Sequence, residues 1–130
     1  MIKREAKFGL TFRAWLKAHP ESFPAGAVFE LKQTSTSLPF NSVQEHQFNA
    51  LLAARHGAFL YKIPDDSRGV KPFDMAYFAQ TPAFVVVKYP KHFEIISVDN
   101  FLREAKISNR KSLTSQRAGE ISIISVKTVS

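Results

Sequence analysis

The sequence predicts a single α/β domain in which helices flank a central mixed β-sheet. Three observations lead to this class. Apolar residues recur at helical spacing near the start, at strand spacing over residues 27–33, and as one β-branched run over residues 83–89. The predicted order α-β-α-β-β-β-α is typical of a sheet covered by helices. The 130 residues suffice for one such core and are too few for two.

The composition indicates a globular protein and favours a polyanionic partner. There is no Cys, which excludes disulfides, Cys-ligated zinc and thiol catalysis. The first residues carry no apolar h-region and no uncharged run approaches a membrane span, so we expect no signal peptide, no membrane and a cytoplasmic location. Lys and Arg number 18 against 11 Asp and Glu, and the net charge of +7 favours nucleic acid.

The first helix is predicted over residues 4–19, and Pro20 ends it. Its apolar stripe at i, i+4, i+7 and i+8 comprises Phe8, Phe12, Trp15 and Leu16.

The strand at residues 27–33 carries the charged pair on which the functional hypothesis depends. Side chains alternate between faces, so Val28, Glu30 and Lys32 share one face. A Glu and a Lys at this spacing predict one of two things. One is a cross-strand charge pair on a solvated face. The other is an active site in which the Glu holds a divalent metal and the Lys positions water or stabilises phosphate charge.

The middle of the chain alternates between helical and strand patterns. A Ser/Thr-rich loop is predicted over residues 34–39. Asn41 or Ser42 is predicted to cap the helix that follows, and with Ser42 as N-cap Glu45 lies three residues later, as in a capping box. Gln47 is the polar member of that helix's apolar face. Further strands are predicted over residues 58–63, 73–79, 83–89 and 93–98. The third of these four is expected to be central and covered on both faces.

The remaining segment is more basic. Asp99 or Asn100 is predicted to cap a short helix, and Ser112 a second one containing Gln116 and Arg117. Residues 121–129 alternate imperfectly, which leaves strand and frayed helix both open. The chain thus divides into an N-terminal helix (1–19), a core (27–103) and a basic C-terminal extension (106–130).

The sequence contains no phosphate-binding Gly-rich loop, no metal spacing among its four His and no Gly-x-Ser-x-Gly elbow. The chemistry that remains is carboxylates with Lys, which suits metal-assisted phosphodiester cleavage.

An ordered set of motifs resembles the PD-(D/E)XK nuclease superfamily, and within it the RecU-type Holliday-junction resolvases, many of them carried by phages. The set comprises Phe29-Glu30-Leu31-Lys32, then Leu38-Pro39-Phe40 in a Ser/Thr loop, then Glu45-His46-Gln47 opening a helix. The similarity covers residues 27–103. It implies a restriction-endonuclease-like core in a cytoplasmic protein of a bacterial or archaeal host or its phage.

The resemblance also implies an activity. It implies a metal-dependent endonuclease that resolves four-way DNA junctions as a homodimer, with Mg²⁺ or Mn²⁺ as cofactor. Glu30 would bind the metal, Lys32 would orient the attacking water or stabilise the transition state, and Gln47 would brace the site. Glu5 loosely matches a first-helix acid that some members use.

The chain departs from this family in one respect. There an Asp normally precedes the Glu-x-Lys strand, whereas this chain has no Asp before Asp65. Three solutions are open. Asp74 supplies the second metal-binding carboxylate from a downstream strand, which we favour; or Glu21 replaces it; or the site is degenerate and the protein only binds nucleic acid.

A second arrangement also matches the family's hairpin spacing. Pro72-Phe73-Asp74 followed by Val86-Val87-Lys88 would make Lys88 the catalytic lysine, with Val86 where an acid is expected. Both arrangements place Glu30 and Asp74 on one metal, and we favour Lys32 as the lysine.

Five basic residues are candidates for contacts to DNA phosphates, against the alternative of a solvated surface. They are Lys88, Lys91, Arg110, Lys111 and Arg117. Two other functions stay open: a non-catalytic nucleic-acid-binding domain on the same fold, and a nuclease with another type of substrate.

Overall fold

The computed structural model describes residues 4–64, 69 and 71–128, with side chains from residue 7 onward. Within these residues the helices are α1 (Arg4–Ala18), α2 (Glu45–His56), α3 (Val98–Ile107) and α4 (Ser115–Ile121). The strands are β1 (Val28–Gln33), β2 (Ser37–Pro39), β3 (Ala58–Lys62), β4 (Met75–Ala79), β5 (Ala83–Tyr89), β6 (His92–Ser97), β7 (Ser112–Thr114) and β8 (Ile124–Lys127). Short 3₁₀ helices occupy Pro20–Ser22 and Phe40–Ser42.

The main sheet has four strands in the order β1-β5-β6-β8. β1 runs parallel to β5, whereas β5–β6 and β6–β8 are antiparallel, so the sheet is mixed. Six of the seven residues of β5 are buried, which confirms the predicted central strand. The predicted class, mixed α/β with a central mixed sheet and flanking helices, is confirmed.

The two faces of the sheet carry separate cores. Cross-strand partners point to the same face, so the register separates Val85 and Val87 from Val86. Helix α1 covers the Val86 face, where the buried cluster comprises Phe8, Phe12, Phe84, Val86, Phe93 and Ile95. Helices α2 and α3 cover the opposite face, whose cluster includes Val43, Leu51, Val85, Val87, Ile96 and Phe101. The predicted stripe of α1 is therefore its buried face.

Two small ribbons complete the fold. β2 pairs with β7, so part of the segment expected to be a loop at residues 34–39 is a strand instead. The reason is burial, because Leu38 and its partner Leu113 both lie in the core. β3 and β4 form an antiparallel hairpin that contacts α2. Its outer face leaves Leu60, Met75 and Tyr77 exposed.

The predicted N-caps are wrong by a few residues for three helices: Asn41 or Ser42 for α2, Asp99 or Asn100 for α3, and Ser112 for α4. Ser42 lies in a 3₁₀ helix and donates to the Pro39 carbonyl at 2.6 Å, so α2 begins after Gln44 instead. The side chain of Ser97 caps α3. Ser112 belongs to β7, and Thr114 caps α4 by accepting from the Arg117 amide at 3.2 Å.

The turn into β1 requires a glycine. Gly26 has a φ of +87°, a conformation that other residues adopt with strain, and its amide donates to the Phe23 carbonyl at 3.0 Å.

Near the C-terminal end of the described residues, residues 124–127 form β8 at the edge of the main sheet. Of the two structures left open there, strand and frayed helix, this segment is therefore a strand. Among the described residues, none of the helices has the length and apolarity that crossing a membrane requires.

We expect Phe93→Ala to lower the free energy of unfolding by about 3–5 kcal/mol, because it empties a site at the centre of an aromatic cluster. The Phe93 ring is 1% exposed and contacts the rings of Phe8, Phe12 and Trp15 at 5.6–5.7 Å. The measurement is urea unfolding. Phe73→Ala is the matched control, since Phe73 is 55% exposed and should change stability by less than about 0.5 kcal/mol.

Candidate active site

The charged pair of β1 lies at the edge of the main sheet. Glu30 pairs with Val85 and Lys32 with Val87 in the parallel register, so both side chains project from the face that α2 covers. The Nζ of Lys32 lies 3.6 Å from Oε2 of Glu30. The two side chains are only 15% and 27% exposed, so the pair is partly sheltered from water. This shelter strengthens their attraction relative to a solvated pair.

Gln47 brings the start of α2 to this pair. Its Nε2 donates to Oε2 of Glu30 at 3.1 Å, and its Oε1 accepts from the backbone amide of Gln44 at 2.9 Å. The Gln44 side chain in turn accepts from the Gln47 amide, which completes a capping box. The side chain of Gln47 thus both caps the start of α2 and holds the carboxylate of Glu30.

A cleft of about 450 Å³ opens beside Glu30. The hairpin contributes two aromatic side chains to its wall, Phe59 and Tyr61, of which Tyr61 is 49% exposed. The remaining lining comes from β1 and α2, namely Val28, Phe29, Glu30, His46, Gln47, Ala50, Leu51 and Ala54. The cleft offers a ligand a carboxylate and two aromatic side chains, and the ammonium of Lys32, which is not part of the lining, lies 3.6 Å from that carboxylate.

The sequence reasoning did not identify Tyr61 or Phe59 as part of the site. The signal was present, because their alternation in β3 puts both on one face. What the sequence lacked was the docking of the hairpin on α2.

The cleft offers a metal ion one protein ligand. Glu30 supplies the carboxylate, whereas Oε1 of Gln47 is already engaged by a backbone amide. In the part of the chain that the structure describes, no group of three or more His, Asp or Glu is placed to hold a metal. Mg²⁺ commonly keeps several waters and takes one or two carboxylates plus substrate phosphate oxygens, so Glu30 suits such a role.

Asp74, expected beside Glu30, is not among the residues that line this cleft. It precedes β4, its side chain is 82% exposed, and it forms an ion pair with Lys71 at 3.3 Å. The hairpin register nevertheless keeps it near the cleft wall, because Ala76, two residues on, pairs with Tyr61.

Lys88 lies on the other face of the sheet from Glu30. Its register partner in β1 is Gln33, whose side chain points to the face opposite that of Lys32. Its Nζ donates to the carbonyls of Tyr89 and Pro90, the latter at 3.2 Å. Of the two candidate lysines, Lys32 is therefore the one that the structure places beside Glu30.

The other candidates are dispersed. Lys91, Arg110 and Lys111 are exposed, and Glu21 is exposed in the 3₁₀ helix that follows α1. The side chain of Glu5 and all of Asp65 lie outside the described residues.

Arg117, predicted to contact DNA phosphates, is an exposed residue that forms ion pairs with two glutamates. Its Nε and one terminal nitrogen donate to both oxygens of Glu104 at 2.8 and 3.0 Å, and the other terminal nitrogen reaches Glu120 at 3.0 Å. Glu104 is 8% exposed, and hydrogen bonding from Arg117 lowers its pKa below the usual range of a glutamate. This fork connects α3 to α4.

Comparisons with known proteins give no family for this chain, since no protein-family model and no curated protein matches it. Inferences about its function therefore rest on its own residues and their geometry.

We expect Arg117→Met to lower the urea midpoint at neutral pH, because it leaves the nearly buried carboxylate of Glu104 without its partner. Since the folded pKa of Glu104 is lowered, the pair contributes its full stability above the pKa of an unfolded glutamate and loses it as pH falls through the folded value. The difference between mutant and wild type should therefore shrink below about pH 4.5. Arg110→Met, which removes an exposed charge, should show no such pH-dependent difference.

Proposed function

We propose that this protein is a metal-dependent structure-specific endonuclease that resolves four-way DNA junctions, built on a restriction-endonuclease-like core. One observation carries the proposal: Glu30, which lines a cleft, forms an ion pair with Lys32 and accepts a hydrogen bond from Gln47. The net charge of +7 supports a polyanionic substrate.

Each residue has a separate role in the proposed hydrolysis. Glu30 holds Mg²⁺ or Mn²⁺, which when bound polarises the phosphate and makes water a stronger nucleophile. Lys32 stabilises the negative charge that develops on the phosphate oxygens, and the adjacent carboxylate keeps its ammonium in place. Gln47 is a positioning residue, because it holds one oxygen of Glu30 and leaves the other for the metal.

Asp74 is proposed as a second carboxylate that completes the metal site. Asp74 lies two residues before Ala76, the partner of the cleft residue Tyr61. Its carbonyl accepts from the Ile63 amide at 2.8 Å, which continues the hairpin ladder to this point. In this role Asp74 would give up its exposed ion pair with Lys71, which costs little.

The proposed substrate requires two cuts. Opposed cuts across a junction need two sites related by a two-fold axis, so we propose a homodimer. The exposed side chains of Lys91, Arg110 and Lys111 are proposed to contact phosphates, which positions DNA without reading its sequence.

A non-catalytic nucleic-acid-binding domain is the second candidate. The observation that favours it is the single carboxylate of the cleft. The presence of a sheltered Glu in the site opposes it, because a binding module gains little from an acid that faces phosphate.

We expect wild type to nick a labelled four-way junction symmetrically with Mg²⁺ and not with EDTA. Glu30→Gln and Lys32→Met should each lower the single-turnover rate by about 10²–10³-fold while junction binding is kept, since each removes charge stabilisation at the reacting phosphate. Asp74→Asn should do the same. Glu45→Gln, an exposed acid in the first turn of α2, is the matched control and should cut normally.

Binding of the junction without cutting, in Mg²⁺ and in Mn²⁺, would contradict the nuclease proposal and favour the binding domain. Normal cutting by Asp74→Asn would remove that residue from the metal site without affecting the role of Glu30.

The double role of Gln47 gives a separate prediction. Gln47→Ala and Gln44→Ala each remove one bond of the capping box, so both should lower stability by about 0.5–2 kcal/mol. Only Gln47→Ala also releases Glu30, and it alone should lower the single-turnover cleavage rate, by about tenfold. Thermal unfolding and junction cleavage measure the two effects. Equal activity in the two variants would show that Gln47 is a capping residue only.

A further inference from the structure

The outer face of the hairpin formed by β3 and β4 is exposed along its whole length. Cross-strand partners point to the same face, so three pairs of partners make up this face. All six residues are exposed, namely Ala58 with Ala79, Leu60 with Tyr77, and Lys62 with Met75. The opposite face of the hairpin carries Phe59 and Tyr61, which line the cleft beside Glu30. The hairpin is therefore a wall between that cleft and the outer face.

The centre of the outer face is apolar and aromatic. Leu60 is 59% exposed, Met75 is 54% exposed and Tyr77 is 67% exposed, and Leu60 lies directly beside Tyr77 in the register. Single exposed apolar residues are ordinary, whereas a contiguous group of large ones often marks a binding surface. Because two thirds of Tyr77 is open to solvent, a ligand can reach its ring directly.

Charge and area indicate which kind of partner suits this face. Of its six residues Lys62 alone is charged, and none is an acid. A second copy of the chain would therefore bring another Lys62 and no carboxylate. The apolar patch also measures only a few hundred Å², and two such patches would bury less than the roughly 1,000 Å² that a specific protein interface needs. A DNA strand instead brings flat bases for the ring and a phosphate for the lysine.

We propose that the outer face of the hairpin binds unpaired bases of a DNA strand. One base stacks on the Tyr77 ring, Leu60 and Met75 extend the apolar surface beside it, and Lys62 pairs with a phosphate. Every base has a flat face, so this binding does not depend on sequence. The inference goes beyond the proposed cleavage, because Glu30 and the metal take no part in it.

The unpaired bases could belong to a free single strand or to the branch point of a junction, since both present the same chemistry. A strand of about 12 thymidines, which is long enough for one such site, represents the first source. A four-way junction with unpaired thymidines at its branch point, compared with a fully paired junction, represents the second. Binding of the unpaired junction at least tenfold more tightly than either of the others would assign the face to branch points.

The test is the fluorescence anisotropy of the labelled thymidine strand with the full chain in EDTA. Tyr77→Ala should weaken binding of the strand by about tenfold, because it removes the stacking ring. Tyr77→Phe keeps the ring and should bind within about twofold of wild type, which also guards against misfolding of the alanine variant. Leu10→Ala, which shortens an exposed apolar residue of α1, is the matched control and should bind normally.

The role of Lys62 is tested by the salt dependence of the same binding. Lys62→Gln should lower the slope of log affinity against log salt concentration by about 0.7, as expected for one lost phosphate contact with a single strand. Lys7→Gln, which removes an exposed charge on α1, should leave the slope unchanged.

A cross-linking experiment locates the contact directly. A strand that carries 5-iododeoxyuridine should cross-link to Tyr77 on irradiation, as mass spectrometry of the digested chain would show. A cross-link that maps only to other parts of the chain would overturn the proposal.

Three further outcomes would overturn it. In the first, Tyr77→Ala binds the strand as tightly as wild type does. In the second, Tyr77→Ala weakens binding of a paired duplex as much as binding of the strand. In the third, Tyr77→Ala converts a dimer into a monomer in sedimentation, which would assign the face to a second copy. Because none of these measurements needs Mg²⁺ or cleavage, their failure is distinct from failure of the nuclease proposal.

Discussion

The parallel pairing of β1 with β5 is the constraint on which the rest of the structure depends. β5 is apolar and buried on both faces, so it fixes the plane of the sheet and offers one of its edges to β1. Because the register is set residue by residue, Phe29 and Leu31 must enter the aromatic core under α1. Glu30 and Lys32 are then forced onto the other face, and a slip of one residue would bury both charges.

The same register explains why polar groups recur on one face of the sheet. Lys32, Val87, Glu94 and Ser125 are successive partners in one row across four strands. Strands lie about 4.8 Å apart, so the backbones of Lys32 and Glu94 are about 10 Å from each other. The buried Val87 lies between Lys32 and Glu94 in this row. This face is apolar at its centre and polar at each side.

Residue patterns predicted the main helices and strands better than they predicted the contacts between segments that are distant in sequence. The stripe of α1, the alternation of β1 and the burial of β5 follow from side-chain periodicity, which is local. The pairing of β2 with β7 and the docking of the hairpin on α2 depend on partners that are distant in sequence. For the same reason the contact of Gln47 with Glu30 was expected only from a resemblance, and the exposed position of Asp74 was not foreseen. Caps were misplaced because several Ser, Asn and Asp residues compete near each helix start.

The central claim is that Glu30 holds a divalent metal in the cleft. The most direct measurement is paramagnetic broadening of backbone amide signals by Mn²⁺, which needs neither DNA nor catalysis. The account predicts that broadening centres on the amides of residues 29–32 and 45–48, where Glu30 and Gln47 meet, and that Glu30→Gln abolishes it. Broadening that centres on another part of the chain, or that persists in Glu30→Gln, would contradict the account.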